Sequence, residues 1–192
     1  MRVSAPRVPP VEDAAATEEQ KALTERLRRG DALPNIYRTL ANHPAAMKAF
    51  MAWGGYILGG GNTLPARERE LAILRTGWLC RAGYEWVAHV RIGKNAGLTD
   101  DEVTRIGRGP DDAAWSEADR AILKAADELH ADQFVTDATW QALGAHFSRE
   151  QQMDLVFTVA QYTQVSMLLN SFGIQLDAGA ELDPAVRKAW GL

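Results

Sequence analysis

The spacing of apolar residues is the feature that most constrains the fold of this chain. From Thr17 onward apolar residues recur at intervals of three and four, as in Leu71, Leu74 and Trp78, and this spacing places them on one face of an α-helix. Runs of alternating β-branched residues, which are typical of half-buried strands, do not occur in the sequence. We therefore predict an all-α protein of about seven to nine helices with short connections.

Caps and glycines predict where several helices begin and end. A capping-box pattern starts at Thr99 and another at Ser148, which predicts that a helix follows each of them. Pro65 predicts the first turn of a further helix, and Gly83 predicts its interruption. The next helix is expected to run from just after Gly83 to around Asn95.

Three segments are predicted from composition along the chain. Residues 1–16 contain three prolines and are predicted to form an extended arm that contacts a neighbouring subunit, because proline prevents regular backbone pairing. Residues 17–176 are predicted to form a single helical domain, since a chain of this length suits one domain with a sizeable core. Residues 177–192 are polar and are predicted to form a C-terminal tail with few core residues.

Charge and cysteine content exclude several classes of protein. The net charge is −4, and the basic residues alternate with acidic ones, so a nucleic-acid partner is not expected. No apolar window is long enough for a membrane span, and no apolar segment follows Arg2 and Arg7 as it would in a signal peptide. Cys80 is the single cysteine, which excludes an internal disulfide and fits a reducing cytoplasm. A cytoplasmic protein is predicted.

Glu85 and His89 form the most informative pair of polar residues. They lie four positions apart on a predicted helix and therefore face the same way. A carboxylate beside an imidazole fixes the tautomer of the ring and raises its basicity, which is the minimum requirement for moving a proton. The simpler alternative is a solvated surface pair that contributes only a few tenths of a kcal/mol to stability.

Glu70 is a second candidate because it lies at the edge of an apolar stripe. It precedes Leu74 by one turn and Trp78 by two, so its carboxyl group is expected to be partly desolvated. A metal site formed by Glu70, Glu85 and His89 is not expected, because the sequence contains no HExxH-like motif or dense ligand cluster. No cofactor is predicted either.

The sequence resembles the carboxymuconolactone decarboxylase family, whose superfamily also contains the AhpD-type alkylhydroperoxidases. The resemblance extends over residues 35–175 and implies an AhpD-like helical domain with a central two-helix hairpin, assembled as a homo-oligomer (a dimer, trimer or hexamer). The segments that carry it are RERELAIL (67–74), YEWVAHVRIGKNAGLTDDEV (84–103), ELHAD (128–132), TDATW (136–140) and QYTQVSMLLNSFGIQL (161–176).

The peroxidase branch of this superfamily uses a Glu, a Cys-x-x-Cys pair and a His. In this sequence the Glu corresponds to Glu70 and the His to His89, but the cysteine positions are occupied by Ala82 and Glu85. Cys80 lies two residues before the first of these positions and does not replace it. Peroxide reduction by a thiolate and a resolving thiol is therefore not expected within one subunit.

The decarboxylase branch lacks the dithiol and resembles this sequence at Glu85 and His89. The resemblance implies cofactor-independent chemistry in which His89 carries the proton, Glu85 orients the ring and Glu70 relays or polarises. Tyr84 would donate a hydrogen bond to an oxyanion. We predict a lyase or isomerase that acts on a small acidic or aromatic-derived metabolite.

Two other functions stay open at this point. One is an alkylhydroperoxidase-like antioxidant protein whose activity depends on Cys80, and the other is a non-catalytic oligomeric protein that binds a ligand in the same pocket. The enzyme hypothesis requires Glu70, Glu85 and His89 to converge on one water-accessible pocket. The surface-pair alternative would leave Glu85 and His89 exposed.

Five further polar residues have a structural alternative to a functional role, and for the two histidines and two arginines among them we prefer the structural one. His43 and His130 lie at predicted helix ends, where an imidazole can cap the helix or complement its dipole. Arg75 and Arg91 are candidates to bind a substrate carboxylate, although solvation is the simpler expectation for each. Tyr162 lies on an apolar helix, where its hydroxyl group either enters the site or satisfies a buried backbone group.

Overall fold

The computed structural model describes residues 1–28 and 30–192, which contain ten α-helices and no β-strand. The prediction of an all-α, AhpD-like fold is confirmed. None of the described helices is both long enough and apolar enough to cross a membrane. The helices are α1 (Glu18–Thr24), α2 (Asn35–Leu40), α3 (Pro44–Leu58), α4 (Ala66–Leu79), α5 (Gly83–Asn95), α6 (Asp100–Ile106), α7 (Glu117–Asp132), α8 (Asp137–Gly144), α9 (Arg149–Phe172) and α10 (Pro184–Trp190).

Helix starts follow the local signals in the sequence. Thr99 and Ser148 each form a complete capping box, with side-chain and backbone groups bonded in both directions. Pro65 is the residue immediately before α4. These contacts satisfy backbone N–H groups that have no partner within the helix, which explains why the boundaries could be predicted locally.

Helix α4 lies at the centre of the protein and packs against α5, α7 and α9. It forms the predicted hairpin with α5, and the turn between them places Arg81 at a positive φ of 49°. The two helices approach closely at Gly93 of α5, where a Cβ atom would lie 2.9 Å from a methyl carbon of Leu98 and 3.3 Å from one of Leu74. A larger residue at Gly93 would separate α5 from α4, and these are the helices that carry the candidate site.

The C-terminal segment contributes to the core, in contrast to the expectation that it has few core residues. Leu182 and the indole of Trp190 on α10 are buried. The Trp190 ring centroid lies 5.3 Å from that of Trp78 and 6.2 Å from that of Trp86. A single tryptophan buries a large apolar area even on a short helix. The polar composition of residues 177–192 as a whole therefore did not reveal that this segment contributes to the core. This segment also supplies the tenth helix.

The N-terminal arm lies along its own chain. The backbone N–H of Arg7 donates to the carbonyl of Phe172 at 2.8 Å, and that of Val11 donates to the carbonyl of Arg38 at 3.1 Å. These contacts attach the arm to α9 and α2. Its contact with a neighbouring subunit and the division of the chain into three segments stay predictions.

Candidate functional site

The imidazole of His89 lies between two carboxyl groups. Its Nδ1 atom is 2.7 Å from Oε2 of Glu70 on α4, and its Nε2 atom is 2.9 Å from Oε1 of Glu85 on α5. The exposed fractions of Glu70, Glu85 and His89 are only 1%, 3% and 6%. The three side chains therefore form one buried acid–base cluster rather than a solvated surface pair.

The electrostatic environment favours the protonated form of His89. Burial by itself lowers the pKa of the imidazole, but the charges of Glu85 and Glu70 and their contacts with both ring nitrogens more than offset this effect. The net result raises the pKa of His89 from 6.5 to about 10. The raised pKa favours an imidazolium between the two carboxyl groups at neutral pH.

We expect His89 to be doubly protonated in the folded protein at pH 7.5, because two carboxylates contact its ring. Imidazole ¹⁵N chemical shifts, recorded from pH 5 to pH 10.5, measure this directly. In the Glu70→Gln variant the midpoint of the titration should move to lower pH, since one stabilising charge is lost. A neutral His89 ring at pH 7.5 in the wild type would contradict the expectation.

The same shift has a consequence for stability. Because the pKa of His89 is higher in the folded chain than its ordinary value of 6.5, protonation stabilises the folded state fully below about pH 6.5. This contribution is lost as the pH rises through about 10. The free energy of unfolding is therefore expected to fall over that interval, as measured by urea denaturation at a series of pH values.

A cavity of about 230 Å³ opens beside this cluster, between α2, α3, α5 and α9. Glu85 and His89 line it, whereas Glu70 does not line it and contacts Nδ1 of the imidazole from α4. Most of the wall is apolar. The apolar side chains that line it are Pro34, Ile36, Phe50, Met51, Ile57, Leu58, Ala88, Ile92 and Val165, and the remaining polar ones are Tyr37, Tyr84, Gln161, Tyr162 and Asp177.

The two carboxylates occupy places that differ from the roles implied by the resemblance. Glu70, expected to relay, contacts Nδ1 of His89 and does not itself line the cavity. Glu85, expected to orient the ring, lines the cavity at Nε2. Its Oε1 atom is buried and receives no hydrogen bond of good geometry, although it lies close to the ring. The orienting position is therefore that of Glu70, and Glu85 lies where a bound molecule would be.

Tyr162 on α9 is also part of the cluster. Its hydroxyl oxygen is 3.3 Å from Nε2 of His89, and the two rings meet edge to face with centroids 5.0 Å apart. Burial and the nearby charges of Glu85 and Glu70 raise the pKa of Tyr162 well above its ordinary value, so the hydroxyl keeps its proton. The only signal of this role in the sequence was a polar group on an apolar helix.

Tyr84 lines the cavity, but its hydroxyl group has a different partner from the one predicted. It donates to Oδ2 of Asp177 at 2.9 Å and lies 3.5 Å from the backbone nitrogen of Ile36. Burial and the charge of Asp177 raise the pKa of Tyr84. Because its proton is directed to Asp177, Tyr84 is poorly placed to donate to an oxyanion beside His89. Asp177 itself was not identified from the sequence, since it begins the segment predicted as a tail.

The two candidate arginines lie outside the cavity. Nε and Nη2 of Arg75 donate to the carboxylate of Asp127 at 2.5 and 2.8 Å, and Nη1 donates to the carbonyl of Ile106. Arg91 is exposed on α5. Neither of them lines the cavity, so neither is placed to hold a substrate carboxylate there.

The remaining histidines and the cysteine are separate from the cluster. Nδ1 of His43 accepts a hydrogen bond from the backbone nitrogen of Ala46 and caps α3. His130 lies 3.7 Å from the sulfur of Cys80, and neither residue lines the cavity. Burial raises the pKa of the Cys80 thiol, which disfavours the thiolate. Among residues 1–28 and 30–192 no three acidic, histidine or cysteine side chains are arranged to hold a metal ion.

The family resemblance is confirmed by comparison with known sequences. The model of the carboxymuconolactone decarboxylase family matches residues 44–128, which include Glu70, Glu85 and His89. None of the curated proteins matches the chain.

Solved structures share the fold at low sequence identity. An uncharacterized peroxidase-related protein with an alkylhydroperoxidase AhpD core, from Ralstonia eutropha JMP134, has a TM-score of 0.79 at 23% identity, covering 90% of this chain and 93% of that chain. A second peroxidase-related protein, from Silicibacter sp. TM1040, has a TM-score of 0.76 at 17% identity, covering 92% and 96%. A debrominase solved in complex with 2,3,4-tribromopyrrole has a TM-score of 0.71 at 16% identity, covering 96% and 95%.

Proposed function

We propose, from the premise that residues 44–128 match the carboxymuconolactone decarboxylase family in an AhpD-like helical fold, that this protein is a cofactor-independent enzyme of proton transfer. Its reaction is that of an isomerase or lyase on a small molecule with an acidic C–H bond. The observation that carries the proposal is the placement of Glu85 and an imidazolium, His89, together on the wall of a cavity.

Glu85 is the proposed base. The residue lines the cavity, and its buried Oε1 atom receives no well-directed hydrogen bond although it lies 2.9 Å from Nε2 of His89, so this carboxyl group is the one assigned to take up a proton. In the reaction Glu85 takes a proton from the carbon next to a carbonyl group, and the electron pair of the broken C–H bond moves onto the carbonyl oxygen. The product of this step is an enolate.

Tyr162 and His89 are proposed to stabilise the enolate oxygen. Both carry a proton at neutral pH, since the pKa of each is raised, and their polar atoms lie 3.3 Å apart, so one oxygen can accept from both. Return of a proton to a different carbon atom then completes an isomerisation with no gain or loss of electrons. If the carbon next to the carbonyl group lost CO₂ instead of a proton, the same enolate would form. The same residues would then catalyse a decarboxylation.

Glu70 acts as a positioning residue in this scheme. It contacts Nδ1 at 2.7 Å without lining the cavity, which fixes the ring plane and leaves Nε2 next to Glu85 and Tyr162, which do line it. Its carboxylate also keeps the imidazole protonated.

The peroxidase alternative receives less support from the geometry. Cys80 lies beside His130 outside the cavity, and burial disfavours its thiolate. We expect a Cys80→Ser variant to retain the proton-transfer activity described below. Reductant-dependent peroxide consumption that disappears in this variant would favour the peroxidase function.

The proposed activity can be tested with α-angelica lactone, an uncharged five-membered β,γ-unsaturated lactone. Removal of a proton from the α-carbon, next to its carbonyl group, and delivery of one to the γ-carbon, at the far end of the original double bond, move the double bond to the α,β position and give the conjugated isomer. In D₂O we expect the wild type to produce this isomer with deuterium at the new C–H position, faster than the buffer background, as followed by ¹H NMR. A rate equal to background for this lactone and for related enones and β-keto acids would remove the proposed function.

A further inference from the structure

We propose that the cavity accepts an uncharged, single-ring substrate and excludes carboxylates. This inference rests on the proposed function and specifies the substrate of the same site. In decarboxylation the substrate enters the site as an anion. A cavity that excludes carboxylates therefore favours isomerisation of a neutral molecule over decarboxylation.

Acidic side chains are concentrated at the cavity. Glu85 and Asp177 both line it, and Glu70 contacts His89, which is also a lining residue. Three acidic side chains and one imidazole therefore lie at or next to the cavity, so acidic groups outnumber basic ones in this region. Asp177 is held in place by the hydroxyl of Tyr84 at 2.9 Å and by the backbone nitrogen of Asn35 at 2.7 Å.

No cation on the described part of the wall offsets this charge. The lining residues of the cavity include no lysine or arginine. Arg69 is a cation that acts on the cluster, since its charge lowers the pKa of Tyr162. Its guanidinium lies 3.5 Å from the carbonyl of Leu64, and it does not line the cavity. An entering carboxylate would meet Glu85 in a desolvated space, where like charges repel strongly.

The cavity is small and mostly apolar. A volume of about 230 Å³ is below the roughly 300 Å³ at which sites for drug-sized ligands begin, so a single small ring fills the space. The aliphatic and aromatic wall contributed by α3, with Phe50 and Ile57, favours an apolar body. Polar recognition is confined to the end of the cavity at Glu85, His89 and Tyr162.

Binding of three matched lactones tests the inference directly. The first probe is α-angelica lactone, the second is the same ring with a carboxymethyl group in place of the methyl group, and the third is the methyl ester of the second. At pH 7.5 we expect both uncharged lactones to bind, and the carboxylate to bind at least about tenfold more weakly than its ester. Perturbation of the amide signals of Ala88 and Val165 in NMR titrations measures the affinities without any turnover. A carboxylate that binds as tightly as its ester, or failure of both uncharged lactones to bind, would overturn the inference.

A charge placed at the mouth of the cavity provides a matched test. Leu58 lines the cavity, and because its side chain is 44% exposed, a polar replacement is compatible with folding. The Leu58→Lys variant should lower the ratio of the dissociation constant of the carboxylate to that of the ester about tenfold, whereas Leu58→Gln, which removes the same apolar group without adding a charge, should leave this ratio unchanged. Equal effects of the two variants on the carboxylate would show that charge does not control entry and would overturn the inference.

Turnover separates this inference from the proposed function. If the uncharged lactones bind but are not isomerised, the proposed function fails and the substrate class stands. If the carboxylate lactone is turned over faster than its ester, the substrate class fails and proton transfer stands. A cationic analogue, with a trimethylammonium group in place of the carboxylate, that binds more tightly than the ester would also overturn the claim that the substrate is uncharged.

Discussion

Replacing His89 by glutamine is expected to lower the rate of lactone isomerisation by about 10²–10⁴-fold, the usual contribution of a general acid or base. The imidazolium is the group that joins Glu70 to the cavity, through Nδ1 on one side and Nε2 on the other. Glutamine keeps an amide near these positions but cannot carry the charge. The measurement is the initial rate of deuterium incorporation by NMR.

The control for this experiment is a second histidine that caps a helix. His43→Gln changes the same residue type on α3, where His43 is exposed and bonded to the backbone, and it should leave the rate within about twofold of the wild type. Because loss of His89 leaves two buried carboxylates without their cation, the variant also loses stability. Circular dichroism therefore has to show a folded protein at the assay temperature.

Glu85→Gln provides a variant that does not depend on this stability effect. It removes the proposed base while the interaction between Glu70 and His89 remains. We expect a loss of rate comparable to that of His89→Gln. Full activity in either variant, with the fold intact, would show that the cluster does not transfer the proton.

Replacing Asp154 by alanine is expected to reduce the free energy of unfolding by about 1.5–3 kcal/mol, the range for hydrogen bonds to a charged group. Asp154 is buried on α9 and accepts from the hydroxyl of Tyr56 at 2.6 Å and from the backbone nitrogen and hydroxyl of Thr63 at 2.6 and 2.8 Å. These contacts join α9 to the end of α3 and to the segment that precedes α4. Urea denaturation followed by circular dichroism measures the change.

The pH dependence of this effect has a definite sign. Burial alone raises the pKa of Asp154, but the donors from Tyr56 and Thr63 outweigh it and the net pKa lies below the usual value of 3.8. A carboxyl group with a lowered pKa stabilises the folded state above its ordinary pKa, and this contribution is lost in acid. The difference between wild type and Asp154→Ala should therefore shrink as the pH falls below about 3.8.

Asp137→Ala is the matched control. Asp137 is exposed in the first turn of α8, so its removal should cost only about 0.3–1 kcal/mol through the helix dipole. Equal losses of stability for Asp137→Ala and Asp154→Ala would contradict a special role of the buried carboxylate. Since α3 forms one wall of the cavity, Asp154→Ala is also expected to weaken the binding of the lactone probes.

Several expectations from the sequence stay predictions. The resemblance implies a homo-oligomer, and the single cysteine fits a cytoplasmic location, but the structure of one chain tests neither. Multi-angle light scattering of the purified protein would measure the subunit count.

The sequence by itself determined the helical class, several helix starts and the pairing of Glu85 with His89. Each of these is a local property, because a cap acts within one turn and residues four apart share a helix face. Glu70 could be linked to His89 only through the family resemblance, since 19 residues separate them.

Only the tertiary structure decided which nitrogen of His89 each carboxylate contacts, and therefore which carboxylate faces the cavity. It also placed Tyr162 and Asp177 in the site, although they lie 73 and 88 residues beyond His89. Packing of α9 and of the chain that follows it against the hairpin of α4 and α5 brings these groups together. Periodicity specifies which face of a helix is buried, but it does not specify which other helix covers that face.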